Sequence, residues 1–438
     1  MTAAGSKPQV HKKLSRDLSQ LAEEMKRFST FKQVMDYSQF FSENSKLRKH
    51  SAIRAMQKYL SIPGMISLGG GLPNTQTFPF ESISVKLKTG ETIELKDKVL
   101  DKALQYGSTP GDSQLVDWLR QLQEQVHNPP YQSYDICVGN GSQDLITKAM
   151  EALINPGDTI LIESPTYVGI LAFLRPLGAK FLEIPVDNQG IQPDALEEAL
   201  LNWPDIATRP KVLYTVPTAG NPTGLSTIYE RKKKVYEIAQ KFNLIILEDD
   251  PYYYLQFKTP LTPSYFSLDC DGRVLRFDSV SKILSGGMRV GWVSGPPALV
   301  ERIVLHGMAT NLHPSGVSQL LVHTVLNKWG VNGFLEHTRS VAQFYEKRRD
   351  AFLHSLDTHL KGKAEWTVPE AGMFVWIKLP INDSFDLITN KAREAKILLV
   401  PGVEFFPNKR DTGYVRASYS YATEEEMDEA CRRLAELL

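Results

Sequence analysis

Lys282, Arg289 and two serines, Ser279 and Ser281, stand within one short run, SVSKILSGGMRVGW. A lysine amine attacks a carbonyl to form a Schiff base when its surroundings lower its pKa. Burial and a nearby guanidinium both act in that direction. The serine hydroxyls and Arg289 are donors suited to a phosphate, and the intervening SGG lets backbone approach closely. Two cations this near repel unless an anion or water separates them. The competing reading is a surface loop with both cations solvated.

Other residues extend this chemistry. In LEDDPYYYL, Asp249 ends an apolar run, where an unpaired carboxylate is costly and a protonated ring nitrogen would suit it; Tyr252 follows as a phenolic donor. A helix-capping acid among core tyrosines is the alternative. In TVPTAGNPTG, Asn221 sits in a rigid turn, which is also ordinary turn chemistry. In GNGSQDL, Ser142 and Gln143 open a helix, where free amides bind anions or are simply capped. Tyr167, in SPTYVG, offers a stacking face or a core aromatic. Arg416, in YVRASYS, lies in a strand and needs an anion, from a structural carboxylate or a substrate.

The elements that position these residues follow from hydrophobic period. From about Asp135, short apolar runs alternate with helical ones. YDICVG, DTILIES, AKFLEIPV, PKVLYTVP, LIILED and RVLRFDS read as strands. SQDLITKAMEALI, YVGILAFLRPLG, PDALEEALLNW and ERKKKVYEIAQKFN read as helices. Such alternation predicts an α/β unit with a mostly parallel sheet covered by helices. Ligands bind at the carboxyl ends of strands in such sheets. Ser142, Gln143, Tyr167, Asn221, Asp249 and Ser279 to Lys282 all fall there. The C-terminal part predicts a smaller α+β unit: a helix from about Gly333 to Leu360, strands AGMFVWIKL, ILLVPG and YVRASYS, and a last helix with Thr423 as its cap. We divide the chain into 1–85, an arm and part of the small domain; 86–330, the large domain; and 331–438, the small domain.

Together the residues describe a planar, phosphorylated aldehyde with a cationic ring, the parts that pyridoxal 5'-phosphate uses. The combination S-x-S-K…R, N-P-T-G, D-x-x-Y and the late strand arginine resembles the fold-type I, class I pyridoxal-phosphate aminotransferases. It is most similar to the subgroup acting on 2-aminoadipate, kynurenine and aromatic amino acids. The resemblance runs from about Arg54 to the C-terminus. It implies a large domain with a seven-stranded, mostly parallel sheet sandwiched by helices. It implies that Lys282 carries the coenzyme and then acts as acid and base, and that Asp249 pairs with the ring nitrogen. Asn221 and Tyr252 bond the ring oxygen, and Tyr167 stacks on the ring. Ser142, Gln143, Ser279, Ser281 and Arg289 hold the phosphate, with Tyr106 of ALQYGSTPG reaching it from a partner subunit. Arg416 takes the substrate carboxylate, with Asn221, Gly70, Asn74 and Arg54 on the substrate side. A homodimer with shared sites is implied. The reaction implied is ping-pong Schiff-base transfer of an amino group to 2-oxoglutarate. A lyase or decarboxylase on the same fold, or an aminotransferase-like transcriptional regulator, are the alternatives. Val280 departs from the aromatic usual between the two serines, and the segment before Arg54 is longer than expected.

Composition narrows the class. The 438 residues are 42% hydrophobic and 23% charged, with 50 basic and 50 acidic side chains. Zero net charge argues against nucleic-acid partners and against membrane-surface binding. Three scattered cysteines fit a reducing compartment, so the cytoplasm is expected. The first 16 residues are basic without an acid, which also fits a short mitochondrial presequence. Leu14, Leu18, Leu21, Met25 and Phe28 follow helical spacing.

Overall fold

The computed structural model describes residues 35–52, 59, 62–66, 68, 69 and 71–438. The helical spacing between Leu14 and Phe28, and also Arg54 and Gly70, lie outside the described residues.

A hairpin of β1 (Ser82–Lys86) and β2 (Thr92–Lys96) comes first and spans residue 85, the expected first boundary. The main sheet follows, built from β3 (Asp135–Gly139), β4 (Thr159–Ser164), β5 (Lys180–Asp187), β6 (Gly190–Ile191), β7 (Val212–Thr215), β8 (Ile245–Asp249), β9 (Val274–Ser279) and β10 (Gly291–Gly295). Their order is β3-β10-β9-β8-β7-β4-β5-β6. The β9-β8-β7-β4-β5 stretch is parallel throughout. β10 runs against both β3 and β9. Among the described residues the sheet thus has eight strands where seven were expected; the two-residue β6 is a hairpin return on the β5 edge.

The central strands are apolar because both faces are covered. Ile160, Leu161, Ile162, Leu213, Ile245, Ile246 and Leu247 are all fully buried. The helices Ser142–Leu153 and Pro297–Thr310 pack against β3 and β10. The Asn155–Asp158 turn joins the first of these to β4 through a bond from Asp158 N to Asn155 O.

A second, four-stranded antiparallel sheet has the order β11-β12-β14-β13, from β11 (Glu365–Trp366), β12 (Phe374–Lys378), β13 (Val400–Pro401) and β14 (Tyr414–Ser418). Of the apolar run ILLVPG only Val400 and Pro401 pair as strand. The helical stretch Gly316–Leu360 leading to this sheet is broken at Gly330, whose φ of 64° no helix accommodates. Thr423 caps the last helix, Glu424–Glu436, in a reciprocal box with Glu426.

Candidate active site

Five strand ends of the large sheet converge on one cavity of about 340 Å³. Ser142 and Gln143 come after β3, Tyr167 after β4, Asn221 after β7, Asp249 at the end of β8, Ser279 at the end of β9, and Ser281 and Lys282 just after it. Arg289, just before β10, closes one side, and Arg416 on β14 enters from the smaller sheet. Tyr252, Val216, Pro251 and Phe374 complete the lining.

At one end of the cavity the donors are gathered and oriented. Ser279 Oγ donates to Ser281 Oγ at 2.9 Å and accepts from Ser281 N at 3.1 Å. Arg289 has φ 52°, a left-handed conformation unusual for a side-chain-bearing residue, and donates to Asn140 O at 2.9 Å and Gly286 O at 3.1 Å. Gly141, at φ 84°, precedes the helix Ser142–Leu153, and a Cβ there would collide with Arg289 Nη2. That helix has no side-chain cap, so its first amides are left for an anion.

Burial acts on two further ionisable groups of the lining. Lys282 is half-buried, and desolvation, Arg416 and Arg289 all lower its pKa. Asp249 is buried, and desolvation pushes its carboxyl up to about 7. Its Oδ2 accepts from the Tyr214 hydroxyl at 2.7 Å, which opposes that rise; its Oδ1 is buried without a partner among the described residues. Tyr252 is buried beside the Asn221 side chain, and desolvation raises its hydroxyl's pKa. Arg416 Nη1 donates to Asn221 Oδ1 at 2.9 Å, and its guanidinium lies over the rings of Phe374 and Phe405, 4.4 and 5.2 Å from their centroids. Desolvation lowers the Arg416 pKa, and its buried Nε has no partner among the described residues.

The three consecutive acids of LEDD have separate tasks because strand side chains alternate. Asp249 faces the cavity. Glu248 and Asp250 turn to the other side and meet Arg276 at 3.3 and 2.9 Å, with Asp278 also bound at 2.8 Å. Arg276 and these partners are fully buried or nearly so, a charge cluster directly behind the site.

Two expected residues stand apart from the cavity within this chain. Tyr106 is 50% exposed and packs edge-on to His313. Asn74 is exposed and caps a short 3₁₀ turn through Gln76 N. Sequence reasoning missed Val216, Pro251 and Phe374 on the lining, and Tyr214 behind it. Phe374 carried no local signal, since it comes from β12 in the other sheet. Tyr214 did carry one: a hydroxyl inside the apolar strand PKVLYTVP.

The profile of the family "Aminotransferase class I and II" matches residues 65–434. The chain belongs to that family. This aminotransferase is 44% identical over 421 residues to the rat (Rattus norvegicus) protein named "Kynurenine/alpha-aminoadipate aminotransferase, mitochondrial", covering 92% of this chain and 99% of the relative. It is 42% identical to "Aminotransferase tdiD" of Emericella nidulans, over 92% of this chain and 96% of that one. Among solved structures it resembles the aminotransferase Aro8 of Candida albicans, with TM-score 0.85 and 30% identity, covering 92% of this chain and 98% of that one. It also resembles the Pyrococcus horikoshii kynurenine aminotransferase solved with PMP and KYN, with TM-score 0.73 and 32% identity, covering 92% and 97%. The fold expected from the residue pattern is therefore the fold of the family, and the enzyme is a transferase of amino groups. The family implies pyridoxal phosphate as coenzyme.

Proposed function

We propose that this enzyme moves the amino group of an aromatic, kynurenine or 2-aminoadipate-type L-amino acid to 2-oxoglutarate, using pyridoxal 5'-phosphate attached to Lys282. One observation carries the reading: Lys282, Asp249, Arg289 and Arg416 line a single cavity. The substrate class is supported by the kynurenine, aminoadipate and aromatic names of the relatives.

The residues fit the coenzyme. The orphaned, buried Asp249 Oδ1 suits a protonated ring nitrogen. The uncapped helix start, Ser142, Gln143, Ser279, Ser281 and Arg289 suit a phosphate. Tyr167 offers a ring face, and Asn221 and Tyr252 reach the same wall for a ring oxygen. When bound, pyridoxal phosphate supplies an aldehyde and an electron-withdrawing ring that drains charge from the substrate's α-carbon.

The side chains supply the rest. Arg416 clamps the substrate's α-carboxylate, with Asn221 beside it. The lowered pKa of Lys282 leaves Nζ neutral more often than an exposed amine, so it can take the α-proton and give it back. Asp249 balances the ring cation, and Phe374 under Arg416 keeps water from that side.

The enzyme acts as a homodimer in this reading. Exposed Ile66 and Leu68 offer apolar side chains for a partner to cover, and half-exposed Tyr106 supports the reading that it serves a partner's phosphate site. The division near residue 330 is supported by the break at Gly330. The basic first 16 residues and the mitochondrial names of the relatives support a mitochondrial address over the cytoplasm that composition alone suggests.

The test is a panel of L-amino acids with and without 2-oxoglutarate, following oxo-acid product. Kynurenine, 2-aminoadipate or an aromatic donor should turn over in strict dependence on the acceptor. Product formed without an acceptor would replace transfer with elimination or decarboxylation.

A further inference from the structure

Behind Asp249 stands a residue to which no role has been given. Tyr214 is fully buried on β7, level with Leu247 of β8 in the parallel register, two residues short of Asp249. Its hydroxyl donates to Asp249 Oδ2 at 2.7 Å. Among the described residues Asp249 Oδ1 has no partner, although it is buried. The carboxylate is therefore bonded on one oxygen and open on the other. A carboxylate free on both oxygens could turn about its χ2 bond, which is a broad torsion. The Tyr214 bond removes that freedom, because turning would break a charge-assisted hydrogen bond in a dry interior. The charges on the other side of the strand, Asp250 and Asp278 with Arg276, affect Asp249 through space and make no hydrogen bond to it.

We propose that Tyr214 is a positioning residue for the coenzyme: its hydroxyl holds Asp249 Oδ2 and so presents Oδ1, and only Oδ1, to the ring nitrogen. This rests on the reading of Asp249 as the partner of that nitrogen. No bond is made or broken covalently; the hydroxyl keeps its proton and orients an acceptor.

The experiment titrates the coenzyme-free full chain with pyridoxal phosphate and with its 1-deaza analogue, in which the ring nitrogen is replaced by C–H. Four proteins are compared: wild type, Tyr214→Phe, Asp249→Asn and the double variant. Phenylalanine keeps the buried ring and removes only the hydroxyl, and circular dichroism checks that each variant folds. Tyr214→Phe should weaken pyridoxal phosphate binding about tenfold, the scale of one charge-assisted hydrogen bond. It should leave the analogue within about twofold, since the analogue offers Oδ1 nothing to bind. On the Asp249→Asn background the same change should add less than about twofold for either ligand. Equal losses for both ligands, or full additivity in the double variant, would mean that Tyr214 only fills the core, and would overturn the proposal. A different result separates the underlying reading. If Asp249→Asn weakens both ligands alike, Asp249 does not serve the ring nitrogen, and the proposal falls with it.

Discussion

Arg416 Nη1 lies 2.9 Å from Asn221 Oδ1, joining β14 of the small antiparallel sheet to the loop after β7 of the large one. The asparagine orients the guanidinium in advance, and Phe374 and Phe405 lie beneath it. The proposed clamp, built from both sheets, would tie substrate binding to how they meet.

Arg416→Lys keeps the charge but removes the planar fork. We expect kcat/KM to fall roughly a hundredfold for the amino donor and for 2-oxoglutarate together, with coenzyme affinity unchanged. Steady-state kinetics of both halves of the reaction test this, and an effect confined to one substrate would refute a shared clamp.

Lys282→Ala should remove the covalent link and the proton carrier together. Borohydride treatment followed by peptide mass spectrometry should find the coenzyme fixed to Lys282 in the wild type and nowhere in the variant. Turnover should drop by at least about a thousandfold. Retention of near-normal turnover would end the assignment.

Arg289→Gln tests the phosphate end. Affinity for pyridoxal phosphate should fall about ten- to a hundredfold, while affinity for unphosphorylated pyridoxal stays the same. Isothermal titration distinguishes the two. A parallel loss for both ligands would show that Arg289 acts on the fold instead.

The pH dependence of the coenzyme-free protein follows from Asp249. Its folded pKa, about 7, stands above the ordinary 3.8, so the folded state binds more protons between these values. Its share of stability is complete below about pH 3.8 and is lost as pH rises toward 7. Relative to Asp249→Asn, the wild type should therefore lose on the order of 4 kcal/mol of unfolding free energy across that window. Asp269, also raised to about 6, is common to both proteins and cancels in the difference. Denaturant melts at a series of pH values measure it; a flat difference would show that Asp249 ionises as though it were in water.

A fluorescent protein carrying residues 1–34 of this chain at its N-terminus should enter mitochondria. Replacing Lys7, Lys12, Lys13 and Arg16 with glutamine should return it to the cytosol. Fluorescence spread through the cytosol in both cases would leave composition as the better guide.

Much of the site was legible because its parts sit at ends of elements with clear periods. The strands that end near Asp249 and Ser279 were read within a residue or two from their apolar runs. β10 was not read: GWVSG is short and glycine-bounded, and becomes a strand by pairing with β3 and β9 on its two sides. The opposite error befell ILLVPG, which has strand composition but only two residues with a pairing neighbour. Arg276 passed unnoticed because it alternates with apolar residues, and nothing local tells that Glu248, Asp250 and Asp278 surround it.

The sequence by itself determined the chemistry: which side chains carry an amine, a carboxyl, a phenol or a guanidinium, and that most of them stand at carboxyl ends of strands. Local spacing suffices for that, since period and turn residues act over a few positions. Only the tertiary structure decided which of those groups share a cavity, that Asp249 is bound on one oxygen and open on the other, and that Phe374 and Arg416 come in from a second sheet. Those facts depend on the order of strands and on burial. Both are set by contacts between residues far apart in the chain, and burial is also what moves the Lys282 and Asp249 pKa values toward use.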